Sequence, residues 1–318
     1  MGSAITRGLW RVLMVTAAIA LAPAAFAQGW AEPAVPPDLK AAMDKADAGD
    51  AGELLTLADA GRSDAQYYAG GMLIYGRGAI PRDPARGCAY EEKASASRAD
   101  AMHLTAECYR SGLGGQLDKA KAEAAYLRAA AMGYPKSRCA LGEMLFADPA
   151  QAERGLSLCK EAAQAGDADA QTDVGDFYYR GSGPVKADKG EARRWYEMAA
   201  KQKQPAAARI LGEMYAKGEG GRKDAKKAVA MWQVADAAGD PTASILMADQ
   251  LFSEITGGRQ PGPGKFAFKG GVPVAEIEVV EQWYRQARDH DPRPEVKKKA
   301  EYALQVLTYF KEQAAEKR

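Results

Sequence analysis

Apolar residues recur along most of the chain at spacings of three and four, the signature of helices that bury one face. Between Ala170 and Ala200, in AQTDVGDFYYRGSGPVKADKGEARRWYEMAA, two such patterns are joined by a Gly-rich turn. The first has a small residue, Gly175, at its middle and Phe177, Tyr178 and Tyr179 at its end. Gly181-Ser182-Gly183-Pro184 stops it, because glycine supplies a left-handed C-terminal cap and proline cannot continue the hydrogen-bond ladder. The second begins near Lys189 and places Ala192, Trp195, Tyr196, Ala199 and Ala200 on one face.

The Gly175 position recurs at Gly70, Ala106, Gly142, Gly212 and Ala248, so that the successive separations along the chain are 36, 36, 33, 37 and 36 residues. Small residues at one phase of a fixed period mean stacked helix pairs, in which no unit can bury both its faces and neighbours supply the core. Local wording repeats as well: GGMLIYGRG at Gly70, GEMLF at Gly142, GDFYYRGSG at Gly175 and GEMYAKGEGG at Gly212. The second helices echo one another in AYLRAAAMG before Tyr134, SLCKEAAQAG before Asp167, RRWYEMAA at Arg193, MWQVADAAG before Asp240 and QWYRQARD at Gln282.

The pattern A-x-x-x-L-G-x-M/Y-Y-x-x-G-x-G, then a charged link, then A-x-x-W-Y-x-x-A-A-x-x-G, resembles the Sel1-like repeat, a relative of the tetratricopeptide repeat. Its best matches are Ala207-Ala208-Arg209-Ile210-Leu211-Gly212-Glu213-Met214-Tyr215 and Trp195-Tyr196-Glu197-Met198-Ala199-Ala200. The resemblance covers Ser63 to His290 and implies an all-α, right-handed solenoid of antiparallel helix pairs that binds other proteins. It brings no shared catalytic residues. Six repeats are expected over 63–292, with the first helices lining the concave face.

Residues 1–27 read as a secretory signal peptide: Arg7 and Arg11 make a basic start, Val12 to Ala22 an apolar run, and Ala25-Phe26-Ala27 a small-x-small cleavage site. The apolar run is short for a bilayer span, which needs about 20 residues; an uncleaved anchor is the competing reading. Residues 28–37, with Pro33, Pro36 and Pro37, form a lead-in. Residues 38–62 make a degenerate first pair that closes the N-terminal end, with Asp38 and Asp50 placed to cap its helices. From Pro294 the stripe Val296, Ala300, Ala303, Leu304, Leu307 and Phe310 predicts a capping helix over 293–318.

Between Ile255 and Ala275, ITGGRQPGPGKFAFKGGVPVA interrupts the last repeat with a density of Gly and Pro that excludes regular helix. A loop of this length in a compact array serves function or is disordered. Phe266 and Phe268 alternate in it, flanked by Lys265 and Lys269, as a partner-binding element or as rings packed on adjacent helices.

The formal charge of +1 becomes −1 without the two arginines of the leader, a balance that argues against nucleic acid as the main partner. The lysine clusters at 226–227 and 297–299 read as solvated helix faces. An even count of four cysteines, Cys88, Cys108, Cys139 and Cys159, suggests disulfides in an exported protein. Cys88 opens a second helix and Cys108 lies late in the next first helix; Cys139 opens a first helix and Cys159 lies in the second half of its antiparallel partner. The repeat phase therefore favours Cys88–Cys108 and Cys139–Cys159 among the three possible pairings. Cysteine-rich exported relatives also cross-link their helix pairs. The absence of C-x-x-C and the dispersion of the thiols disfavour a metal.

The two histidines, His103 and His290, lie far apart, which excludes a multi-His metal site and disfavours a Ser/His or Cys/His pair. No P-loop, dinucleotide fingerprint or EF-hand loop occurs, and no cofactor is expected. Some cysteine-rich members of the resembled family have been proposed to bind or hydrolyse β-lactams. Ser157-Leu158-Cys159-Lys160 matches S-x-x-K but lacks the S-D-N and K-T-G companions. A cell-wall-directed enzyme or β-lactam-binding protein using Ser157 and Lys160 is thus the alternative to a non-catalytic scaffold. For the scaffold, Tyr67, Tyr75, Tyr109, Phe266 and Phe268 are the candidate partner contacts, since tyrosine buries area at little entropic cost; Tyr178 and Tyr215 belong to inter-repeat packing. The resemblance implies a periplasmic or secreted scaffold or regulator in the bacterial cell envelope. Its partner would be an envelope signalling protein, a peptidoglycan enzyme or a polysaccharide-export component.

Overall fold

A helix carrying glycine or alanine where its partner carries a ring can approach until the ring lies against bare backbone. That contact recurs through the computed structural model, which describes residues 33–78, 80–115, 117–258 and 272–315. Among them are fifteen helices and no strand. Helices α1 (Pro37–Ala48) and α2 (Gly52–Asp59) form an N-terminal pair. Six units follow: α3 (Ser63–Tyr75) with α4 (Pro84–Ala94), α5 (Ala99–Ser111) with α6 (Lys119–Ala131), α7 (Lys136–Phe146) with α8 (Ala152–Gln164), α9 (Ala168–Arg180) with α10 (Lys189–Lys201), α11 (Pro205–Lys217) with α12 (Ala225–Ala237), and α13 (Ala243–Ile255) with α14 (Val274–His290). Helix α15 (Pro294–Ala315) packs on α14 and closes the stack.

Each pair packs along its length and each unit rests on the next, so the chain is an α-solenoid. Within a unit, one large residue of the second helix covers the small residue of the first. Tyr126, Tyr196, Trp232 and Tyr284 hold this place in units 2, 4, 5 and 6, and all are buried. A Cβ on Gly212 would lie 2.4 Å from Trp232 Nε1, and one on Gly175 2.8 Å from the Tyr196 ring. Unit 3 has no ring there: Cys159 takes the place, and α7 and α8 cross through facing glycines. A Cβ on Gly142 or on Gly155 would lie 2.5 Å from the other's carbonyl oxygen.

The turn inside a unit is also repeated. In units 1, 2, 4 and 5 an aspartate (Asp83, Asp118, Asp188 or Asp224) caps the second helix, its carboxylate accepting from an amide in the first turn. The same aspartate's own amide donates back to a carbonyl near the end of the first helix, that of Leu73, Tyr109, Tyr178 or Tyr215. Unit 3, with the shortened turn after Phe146, lacks this arrangement.

Asp38 does not cap α1. Pro36 occupies the cap and Pro37 the first helical position, where its fixed φ begins the helix without a side-chain acceptor. Asp38 sits inside the first turn and pairs with Arg62. Asp50 accepts from the Gly52 amide at 3.0 Å, just ahead of α2. The leader, Phe266 and Phe268 lie outside the described residues.

The glycine crossing gives a paired test. Gly142→Ala is expected to lose about 1–3 kcal/mol, because the new methyl meets backbone. Gly71→Ala, one position after Gly70 and with open space at its Cβ, is expected to gain up to about 1 kcal/mol from helix propensity. Urea unfolding monitored by circular dichroism reads both.

Candidate functional site

First helices of consecutive units approach one another, α5 with α7 and α7 with α9, more closely than second helices do, so the first helices line the inner side of the stack. The residue one place after each small residue repeats an acid along this side: Glu107, Glu143, Asp176, Glu213 and Asp249, with Gly71 at the head. Most of these acids are tied down. The phenol of Tyr126 donates to Glu107, that of Tyr196 to Asp176 and that of Tyr284 to Asp249, the last at 2.9 Å. Each such bond satisfies the hydroxyl of a ring that is otherwise buried. Trp232 donates instead to the Arg209 carbonyl at 3.1 Å, and Glu213 pairs with Arg209 and Lys217.

Unit 3 is again the exception. With Cys159 in the ring position, Glu143 receives no phenol and stands on the inner face without a salt bridge. Asp173 of α9 stands beside it, its Oδ2 3.6 Å from the Cys139 sulfur. Burial, with the charges of Glu143, Asp169 and Asp176 adding to it, pushes the Asp173 carboxyl up to about 8. Burial likewise raises Glu143, against the pull of Arg110. At neutral pH Asp173 therefore largely keeps its proton, and the middle of the inner face is a pair of carboxyls neither of which has a salt bridge.

Toward the C-terminal end, α11, α13 and the start of α15 enclose an open groove of about 710 Å³. Its apolar floor includes Ile245, Leu246 and Val296, and its walls carry Arg209, Lys299 and Glu295. Arg209 pairs with Asp240 at 3.0 Å, and Lys299 with Asp249 at 2.5 Å.

The tyrosines singled out from the sequence fall in different settings. Tyr75 is 71% exposed at the end of α3. Tyr67 is half-buried, edge-on to Tyr68 at 5.0 Å and covered by the Arg98 guanidinium 4.4 Å from its ring centre. Tyr109 donates to Glu92 at 2.8 Å under the Lys121 ammonium. Tyr215 is buried beneath Arg193, 4.0 Å away, and Tyr178 lies under Lys160. The Ser157 hydroxyl is exposed and donates to Glu161 at 3.2 Å, while the Lys160 ammonium is turned to Tyr178, so no nucleophile–base pair is assembled there. His103 is packed between Tyr126 and Tyr134, hydrogen-bonded to Ser137 at 3.1 Å, and burial lowers it to about 4. Among the described residues no cluster of His, Cys, Asp and Glu could hold a metal, and no helix is long and apolar enough to cross a membrane.

Two disulfides are formed, Cys88–Cys108 and Cys139–Cys159, the pairs that the repeat phase favours. The first joins α4 to α5 across a unit boundary; the second joins α7 to α8 within unit 3.

Stacked helix pairs with an open, charged inner face define an α-solenoid. The Sel1 repeat model matches residues 63–97, 99–134, 168–203 and 205–240, which are units 1, 2, 4 and 5. The chain is a Sel1-repeat protein, and such repeats mediate protein–protein interactions. The stretches left out are unit 3, which lacks the ring and the long turn, and unit 6, which carries the insertion. A protective antigen present in uropathogenic Escherichia coli strains, displaying an SLR fold, shares 19% identity at a TM-score of 0.50, with 80% of this chain and 56% of that one covered. This chain thus spans little more than half of that protein. A Sel1 repeat protein from Oxalobacter formigenes shares 21% identity at a TM-score of 0.50, with 82% and 100% covered. Both likenesses concern the fold. No curated protein matches the chain significantly.

One residue of the stack was missed in the sequence although its phase marks it. Glu91 of α4 holds the ring position of unit 1, fully buried, with Gly70 opposite so close that a Cβ there would lie 2.5 Å from Oε1. Neither carboxyl oxygen has a hydrogen-bond partner. Burial holds the carboxyl well above its ordinary value, with the Asp100 charge adding and Arg98 opposing. The unfolded chain ionises Glu91 above that ordinary value while the folded chain keeps the proton. The contribution of Glu91 to folding is therefore most favourable at acid pH and is lost as pH rises toward the folded-state pKa. Glu91→Gln removes this dependence: its stability relative to wild type is expected to climb by about 1 kcal/mol or more between pH 4 and pH 8, read by urea midpoints across that range. A flat difference would mean that the carboxyl is solvated or ionised in the fold.

Proposed function

We propose that the chain is a non-catalytic scaffold or regulator that holds a protein partner on the inner face of its solenoid, in the bacterial cell envelope after export. The observation that carries this is the inner face itself. Glu143 stands there without the phenol that the acids at its position in units 2, 4 and 6 receive, beside the largely protonated Asp173, and the groove beside Lys299 offers apolar floor with charged walls. Uncompensated polar groups in a concavity are costly to hold without a use. The two disulfides favour an oxidising compartment, in keeping with the leader-like start of the sequence. Envelope signalling proteins, peptidoglycan enzymes and polysaccharide-export components are the partner classes that fit such a place. A partner that offers hydrogen-bond donors to Glu143 suits the middle of the face, and Tyr75, Tyr109, Phe266 and Phe268 are proposed as further contacts.

Site-specific photo-crosslinking in the native host tests the reading. A probe at Glu143 or Lys299 is expected to trap one discrete protein, and a probe at Arg194, exposed on a second helix, is expected not to. Glu143→Lys should weaken capture by the Lys299 probe about tenfold or more. Equal capture from both sides of the stack, or none from the inner side, would refute inner-face binding. Export is checked separately by fractionation and N-terminal sequencing, with cleavage expected after Ala27.

A further inference from the structure

The two disulfides differ in what they join and in what can reach them. Cys139–Cys159 lies within unit 3, its residues 3% and 0% exposed, sealed where the Gly142 and Gly155 backbones touch. Cys88 and Cys108 are also well covered, at 7% and 6%, but both line a solvent-open pocket of about 230 Å³ that includes Glu92, Tyr109 and Lys121. This second bridge spans the boundary between units 1 and 2.

That boundary has little else of an apolar kind. The N-terminal hydrophobic cluster ends at Tyr90 and the next begins at Met102. Between them stand Ile74 and the two half-cystines, with Leu113 alongside, and the small side chains of Ala94, Ala99 and Ala101. Polar groups fill the rest: unpartnered Glu91, Ser95, the Arg98–Asp100 pair and Thr105 are all buried or nearly so. Polar ties across the boundary include Arg98 over Tyr67 and Tyr68 and the Tyr109–Glu92 hydrogen bond of 2.8 Å, which lies at the rim of the same pocket. An interface with one buried, unsatisfied carboxyl, whose apolar part beside the cystine is Ile74 and three alanines, leans on that cystine to stay closed.

We propose that Cys88–Cys108 is a reducible latch: a dithiol reductant opens it through the adjoining pocket, releasing the N-terminal pair and unit 1 from the rest of the stack, while Cys139–Cys159 stays oxidised. A thiolate of the reductant attacks one bridge sulfur, forming a mixed disulfide and expelling the other cysteine as thiolate. The reductant's second thiolate then displaces the first cysteine. Two electrons pass to the protein, the dithiol leaves as its own disulfide, and the protons it gave up end on the two protein thiols. Opening tilts the head of the inner face, with Tyr67 and Tyr75, away from the acids of units 2 and 3. This device does not depend on what the solenoid binds.

The test uses the full oxidised chain under native conditions. It is exposed to graded dithiothreitol or to a thioredoxin-class reductase, alkylated with N-ethylmaleimide, and read cysteine by cysteine by mass spectrometry, with hydrogen exchange followed in parallel. Cys88 and Cys108 are expected to label about tenfold or more faster than Cys139 and Cys159. Amide protection should fall across α4 and α5 as they label and hold across α7 and α8. Labelling of both bridges together, or of Cys139–Cys159 first, overturns the proposal. So does labelling of Cys88 and Cys108 with no change in exchange. The double variant Cys88→Ser, Cys108→Ser should reproduce the exchange pattern of the half-reduced chain, and a pattern like that of the oxidised wild type would likewise refute the latch.

Discussion

A ring or its substitute, laid from the second helix of each unit onto a small residue of the first, is the contact on which the stack depends. It sets how closely the helices of a unit approach, and so the shape that each unit offers its neighbour. Where the ring is tyrosine, its hydroxyl must find an acceptor, and the acid next to the small residue supplies one. Core packing and the charge of the inner face are therefore one arrangement seen from two sides. Changing the ring frees the acid, as unit 3 shows: cystine replaces tyrosine, the helices close to backbone contact, and Glu143 is left without its partner.

The helices, their pairing and the joining of the cysteines were legible because they rest on local periodicity. Spacings of three and four make a helix, a period near 36 makes a stack, and phase within that period says which residues meet. The capping of α1 was misread at Asp38 because two consecutive prolines override a good capping side chain by fixing the backbone first. Glu91 was within reach of the same phase argument: it occupies the position of Tyr126 and Tyr196, and a carboxyl there has nowhere to go but the core.

The inner face was less legible. That Tyr67 is covered by Arg98 while Tyr75 is bare depends on the approach of α5 to α3, which no pattern within one repeat encodes. The same holds for Asp173, whose carboxyl is raised by its burial in the stack and then by acids gathered from α7 and α9. Side chains that meet across unit boundaries are set by the rotation from one unit to the next, and the sequence states that rotation only through the sum of many contacts.

The doubled use of Asp83, Asp118, Asp188 and Asp224 bears on how such chains change length. Each aspartate satisfies, by itself, the amides at the head of one helix and a carbonyl at the tail of the other. These two backbone obligations of a turn are met inside its own module. A gene segment encoding one such module could be duplicated or lost without stranding those backbone groups elsewhere, which suits a lineage that grows or trims its reach by whole repeats.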